Sequence, residues 1–194
     1  LGTSMTSKLG ETAIVVGVGM GGLAAAAALA GKFASVVMLD RDALPDGLGP
    51  RMAVGQGAHT HQLLKAGELS LEKLLPGITQ EFVAAGAPPD ILYAAHPHVG
   101  TFKLVKVVEA LRHTIIALGG EVRFGQRVTD LHIEDGADGR RMRALEIEDL
   151  ATGTRSQLRA EHVILALGHS ARDTFGVLYQ RGVWLQAKPF SIGF

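Results

Sequence analysis

The chain of 194 residues has the length of one domain. At 47% hydrophobic and 20% charged residues it can bury a core, which excludes disorder and a collagen-like repeat. Nineteen basic residues balance nineteen acidic ones, and neither half is a polyelectrolyte (6 basic and 8 acidic in residues 1–97, 13 and 11 in residues 98–194), so a broad nucleic-acid or anionic-membrane surface has no support. The absence of cysteine removes disulfides, Fe–S clusters, thiolate zinc sites and cysteine nucleophiles together.

Residues 1–10, LGTSMTSKLG, read as a vector-derived or flexible leader outside the fold. Between Glu11 and Lys32 lies an uncharged run, TAIVVGVGMGGLAAAAALAG. Its length approaches that of a bilayer span, and its Ala-rich end resembles a signal-peptide cleavage region. The internal order favours a third reading, a strand, a tight turn and a helix. AIVV is short and β-branched, like a buried parallel strand. Four glycines within positions 17–22 would each weaken a continuous helix by about 1 kcal/mol. LAAAAALAG then supplies helix formers with Gly31 at a C-cap position, and SVVMLD forms a second strand ending in an acid.

Residues 17–22 fit G-x-G-x-x-G, and Asp40 lies 18 residues beyond Gly22. In a dinucleotide site Gly17 would allow the tight exit from the strand. Gly19 would let a pyrophosphate approach the backbone, and Gly22 would let helix and strand pack closely. The N–H groups of the helix start, near Gly21 to Leu23, would meet the phosphates, with Met20, Gly21 and Gly22 counted among the cofactor-binding residues. Asp40 would accept hydrogen bonds from the ribose of an adenosine, and it favours FAD or NAD over NADP, whose 2′-phosphate it would repel. The plain alternative is a glycine-rich loop of an α/β domain with no ligand.

A Gly- and Pro-rich loop follows Asp40. QLLKAGELSLEKLL predicts a helix ending at Pro76, ITQEFVAAGA a shorter one closed by Pro88-Pro89, and KLVKVVEALRHTIIAL a third ended by Gly119-Gly120. EVRFGQRV reads as one strand. VTDLHIED, MRALEIED and RSQLRAEH alternate apolar and polar residues with turns at Gly136–Gly139 and Thr152-Gly153, the pattern of an antiparallel meander. HVILALG reads as a buried strand, Ser170 to about Gln180 as a short helix, and KPFSIGF as a final strand. The expected fold class is α/β: a Rossmann-like three-layer FAD/NAD(P)-binding fold with a parallel sheet and a three-stranded antiparallel β-meander.

This order resembles the FAD-binding domain of glutathione-reductase-type flavoproteins. Residues 13–89, with VVGVGMGGLAAAAAL, LDRDALP and PRMAVGQGAHTHQLLKAGELSLEKLLPG, are similar to bacterial FAD-dependent epoxidase- and halogenase-like monooxygenases. Residues 92–194, with HPHVGTFKL, GGEVRF, VILALGHSARDTFGVLYQRGV and AKPFSIGF, resemble an uncharacterised family of bacterial FAD-dependent dehydrogenases. The joint falls near Pro89–Leu92, so a recombined or designed chimera is one expectation, and the leader agrees with it.

The resemblance implies FAD as cofactor and adds site residues. The adenine-reading end of the third parallel strand falls on Arg127-Val128, with Val128 chosen; a buried strand valine is the plain alternative. Arg41 is similar to residues that flank the adenine, or else is a solvated surface arginine. Arg51 matches the arginine of a PR-x-x-V-x-Q-G segment that lies along the pyrophosphate and ribityl chain, where a guanidinium fork suits phosphate oxygens. Gln56, Gly57 and His61 match a stretch near the flavin ring, and Ala166, Leu167 and Gly168 the strand end behind the pyrophosphate. In GHSARDTF, His169, Ser170, Arg172 and Asp173 occupy a strand-to-helix turn on the ligand side of the sheet. A capping box, with Ser170 as N-cap and Asp173 three residues on, accounts for the same residues.

The pairs His59/His61 and His96/His98 have no further ligands at metal spacing, so no metal is expected. Flavoenzymes of this kind normally continue into a substrate domain and a late Gly-Asp segment, so a single FAD-binding domain spanning 11–194, cytoplasmic and able to bind better than it catalyses, is the main expectation. A small flavin-dependent oxidoreductase using NAD(P)H, and a non-catalytic fragment completed by a partner chain, are the alternatives. An unpaired edge at residues 188–194 would make a homodimer plausible.

Overall fold

The computed structural model describes residues 8–43, 65–92 and 101–189. Four parallel strands form the central sheet in the order β3-β2-β1-β7: β1 (Gly10–Val16), β2 (Phe33–Leu39), β3 (Glu121–Arg123) and β7 (His162–Leu165). A separate antiparallel meander runs β4 (Gln126–Gly136), β5 (Gly139–Asp149) and β6 (Arg155–Arg159).

The two inner strands, β1 and β2, are apolar on both faces along their carboxyl-terminal halves because each face meets a different layer. In β1, Ala13 and Val15 join Val36 and Met38 of β2 in a helix-side core, with Leu23, Leu71, Phe82, Leu111 and Ile115. The alternate residues Ile14, Val16, Val37 and Leu39 pack with Val128, Leu131, Leu145, Ile147 and Leu178 on the meander side. The helix layer comprises α1 (Met20–Leu29), α2 (Lys65–Leu74), α3 (Ile78–Ala84) and α4 (Thr101–Ala117), while α5 (Arg172–Gln180) lies against the meander. The order helices, parallel sheet, meander is the three-layer Rossmann-like arrangement expected from the sequence.

The uncharged run is thus a strand, a turn and a helix. No helix among the described residues is long and apolar enough to cross a membrane. Strand β1 begins earlier than its β-branched residues suggested: Gly10 pairs with Phe33, and the Leu9 N–H donates to Lys32 O at 2.7 Å, so the end of the presumed leader belongs to the sheet.

EVRFGQRV is two strands rather than one. Gly125, at φ +67°, turns the chain from the central sheet into the meander, and its N–H and C=O bond to Asp42 and Leu150. HVILALG forms a strand, yet among the described strands β7 lies at the edge of the sheet, with Ile164 and Leu165 each 38% exposed, so it is not buried as expected. The stretch Pro89–Leu92, where the two resemblances meet, is a 3₁₀ turn whose Ile91 is fully buried in the same core as β1 and β2. The final strand KPFSIGF lies outside the described residues from Phe190 onward, and Lys188-Pro189 are not in a strand.

Helices α2 and α3 are joined by a side-chain cap. Gly77, at φ +90°, offers no side chain at the N-cap of α3, and Glu72 takes over that role: its carboxylate accepts the N–H groups of Gly77 (2.6 Å) and Thr79 (3.0 Å) and the Thr79 hydroxyl (2.8 Å). These bonds, the Gly77 N–H first, hold the Glu72 carboxyl below its ordinary value of 4.5. A lowered carboxylate gives stability that is present above its unfolded value and lost as pH falls through the folded one. Glu72→Gln is therefore expected to cost about 1 kcal/mol near neutrality. Thermal melts at pH 7 and pH 3 should show the gap between variant and parent closing on the acid side.

Candidate functional site

All four parallel strands deliver their carboxyl ends to one place, because in a parallel sheet every crossover returns the chain to the same edge. There the first turn leaves β1 at Gly17, whose φ of +108° excludes a side chain in any case; a Cβ would also sit 2.3 Å from Ala166 O. Gly22 lies in the first turn of α1 with its Cα against that same bend, where a Cβ would fall 1.8 Å from Gly17 O. Gly19 differs. It is the N-cap of α1 in extended conformation (φ −85°), and among the described residues none beyond its chain neighbours has an atom within 4 Å of where its Cβ would be. The helix start has neither a side-chain cap nor an acid in its first turn, so its leading N–H groups lack intrahelical partners and carry the positive end of the helix dipole.

Asp40 follows β2 and is 8% exposed. Its Oδ2 accepts the Val18 N–H at 2.7 Å and its Oδ1 the Asp42 N–H at 3.0 Å. Its backbone N–H donates to Arg123 O and its C=O accepts the Gln126 N–H, both at 2.9 Å. One residue therefore ties together the glycine turn, the end of β2, the end of β3 and the start of the meander.

A groove runs over these ends, floored by Val16, Gly17 and Gly19 and walled by Asp40, Arg41, Gln126–Val128 and residues 166–171. The described residues enclose about 160 Å³, below the roughly 300–1,000 Å³ typical of complete small-molecule pockets. Both arginines of the wall are paired. Arg41 Nη1 reaches Asp173 Oδ1 and Oδ2 at 3.2 and 3.3 Å. Arg127 Nε donates to Glu148 at 3.2 Å, and this neighbour raises the Arg127 guanidinium further above its already high value, with Asp173 adding to the effect.

Of the residues expected at a cofactor, Gly17, Gly19, Asp40, Arg41, Val128 and Gly168 line the groove together, with Ala166, Leu167, His169 and Ser170. Met20 is half-buried against the helix-side core, Gly21 is exposed, and Gly22 is buried beneath the turn. Val128 reaches the groove from the third residue of β4, not from the third parallel strand, which ends at Arg123. Arg51, Gln56, Gly57, His61 and both histidine pairs lie outside the described residues. The capping box is not formed: α5 starts at Arg172 with Ala171 as N-cap and no side-chain cap bond, and Asp173 points across the groove to Arg41 instead. Gln126 and Thr174 also line the groove and carried no sequence signal of their own.

An α/β domain with a glycine turn, an uncapped helix start and a buried acid at the carboxyl edge of its sheet belongs to the dinucleotide-binding class. A family model described as FAD dependent oxidoreductase matches residues 13–169, running through the Pro89–Leu92 stretch, and the chain belongs to that family of FAD-using proteins. A curated relative from Clostridium beijerinckii, an uncharacterised protein, is 36% identical over 116 residues, covering 60% of this chain and 20% of its own. Protein Rv3254 of Mycobacterium tuberculosis is 35% identical over 97 residues, covering 46% of this chain and 20% of its own. The chain thus spans about a fifth of the length of the curated relatives it matches. Among solved structures, THI4 of Thermovibrio ammonificans aligns with a TM-score of 0.65 at 18% identity, over 91% of this chain and 64% of that one. The myxobacterial chondrochloren halogenase CndH aligns at 0.62 and 21%, over 84% and 38%. These two likenesses concern the fold.

Proposed function

We propose that this domain holds FAD in extended form, as glutathione-reductase-type flavoproteins do, with the pyrophosphate on the Gly17–Gly22 turn and the adenosine ribose at Asp40. The observation that carries the reading is the open backbone at Gly19, set between an uncapped helix start and a buried carboxylate in a single groove. The residues fit the group. The amides at the start of α1 suit phosphate oxygens, the Asp40 carboxylate suits hydroxyl donors, and Val128 with Leu39 offers an apolar wall for a base. Gly168, at φ +66°, keeps the opposite wall low beside the turn. Arg51 and Gln56 are assigned to the pyrophosphate and the flavin side on the family pattern alone. PieE, which shares this fold at a TM-score of 0.56 and 19% identity, is described in complex with FAD and substrate, which supports FAD as the ligand.

When bound, FAD supplies hydride or oxygen chemistry while the protein binds, orients and shields it. The family description as oxidoreductase favours a second activity, reduction of that flavin by NAD(P)H. Native protein is expected to show flavin absorbance, or to acquire it on incubation with FAD; a colourless protein after both treatments overturns the binding reading. Anaerobic addition of NADH or NADPH then separates the two activities. Bleaching supports the oxidoreductase, and persistent colour leaves a domain that binds flavin without reducing it.

A further inference from the structure

Asp40 and Arg41 pose a contradiction for an adenosine site. A carboxylate at the end of the second strand repels a 2′-phosphate on the ribose, whereas an arginine beside it is the group that accepts one. Arg41 sits in the groove wall directly after Asp40, so the pair alone leaves the choice between a plain and a 2′-phosphorylated ribose open.

The structure resolves it from a distant part of the chain. Arg41 Nη1 lies 3.2 and 3.3 Å from the two carboxylate oxygens of Asp173, in the first turn of α5 and 132 residues away. The second cation of the wall, Arg127, is taken by Glu148. Among the described residues at the adenosine end, each guanidinium is thus matched to a carboxylate, Arg41 to Asp173 and Arg127 to Glu148. The Arg41–Asp173 pair is 36% and 45% exposed, and pairs of that exposure contribute little to folding.

We propose that Asp173 is a specificity-determining residue of the nucleotide site: by holding the Arg41 guanidinium it denies that cation to a 2′-phosphate and keeps the groove selective for an unphosphorylated adenosine ribose. The inference rests on the placement of the adenosine at Asp40 argued above. Asp173 acts through Arg41 and touches no reacting atom; its effect is on which nucleotide fits.

Calorimetric titration of the full chain, freed of any flavin, with ADP-ribose and with 2′-phospho-ADP-ribose tests it. The parent is expected to prefer ADP-ribose at least tenfold. Asp173→Asn should narrow that ratio about tenfold, the gain arising in the 2′-phosphorylated ligand, as expected for one released charge-assisted bond. The Arg41→Gln/Asp173→Asn double variant should return to the parental ratio, because the narrowing needs the freed guanidinium. A merely structural role for Asp173 would weaken both ligands alike. An unchanged ratio in Asp173→Asn, or a narrowing that survives loss of Arg41, overturns the proposal while ADP-ribose still binds. Failure of the parent to bind ADP-ribose at all overturns the nucleotide site and this inference with it.

Discussion

Gly19→Ala and Gly22→Ala are expected to part company: the first weakens flavin binding and leaves the fold, the second destabilises the fold. The Gly22 Cβ would stand 1.8 Å from Gly17 O and 2.9 Å from Gly17 C. Both are backbone atoms, and Gly17 cannot retreat, since it is itself close to Ala166 O and its N–H is bonded to Leu39 O at 2.8 Å. Relief requires lifting α1 from the sheet and exposing Leu23 and Ala26, which are buried against it. Overpacking of ordinary cores costs about 1–3 kcal/mol; with backbone on both sides at least about 3 kcal/mol is expected, a fall in Tm of roughly 10 °C for a domain of this size. At Gly19 the backbone is already extended and no described residue beyond its chain neighbours fills the space, so alanine should cost less than about 1 kcal/mol, the usual difference at an N-cap. That same methyl stands where a pyrophosphate would meet the helix start, and FAD affinity should fall at least about tenfold, the loss of one charge-assisted bond. Melting curves and flavin titrations of both variants check this. Gly19→Ala protein that binds FAD like the parent would mean that no ligand approaches the backbone there.

What could be read from the residues follows the range of the interaction that decides each feature. The β1–turn–α1 unit was legible because its determinants are local: a β-branched run, glycines at fixed spacing and a run of alanines. The meander was legible because period-two alternation with glycine turns has few other solutions, and Gly136 does pair with Gly139 across the predicted turn. The break at Gly125 was not, since EVRFGQRV keeps the composition of a strand on both sides and a lone glycine within one reads as a bulge. The exposure of β7 was hidden for a related reason. VILAL has the same composition at an edge as in the middle of a sheet, and only the strand order decides.

At the site the same division holds. Gly17, Gly19 and Asp40 were found because spacing encodes them. Gln126 and Thr174 were missed because they reach the groove only through the path of the chain between sheet, meander and α5. Ser170-x-x-Asp173 satisfies the local pattern of a capping box, so the residues alone predict a cap there. Nothing local could reveal an arginine 132 residues earlier that competes for the carboxylate.

Asp40→Ala should be the most damaging single change at the groove, and its effects separate into two parts. The first is structural. Val18 and Asp42 donate backbone N–H groups to the two Asp40 oxygens at 2.7 and 3.0 Å in a buried setting, and alanine offers them no acceptor. Leaving one buried donor unsatisfied costs about 1–3 kcal/mol, so a loss of about 2–4 kcal/mol is expected, with the glycine turn loosened first because Val18 lies inside it. The second part concerns the ligand. FAD carries the adenosine ribose that Asp40 is proposed to hold and FMN does not, whereas both carry the flavin. Titrations on the folded fraction should therefore show FAD weakened by about 100-fold, as for two hydrogen bonds to a charged acceptor, and FMN changed far less. The comparison works because a slack turn would harm the phosphates of either flavin, while a missing ribose contact can harm only one. Equal losses for FAD and FMN would assign the whole effect to the turn and remove Asp40 from the binding site.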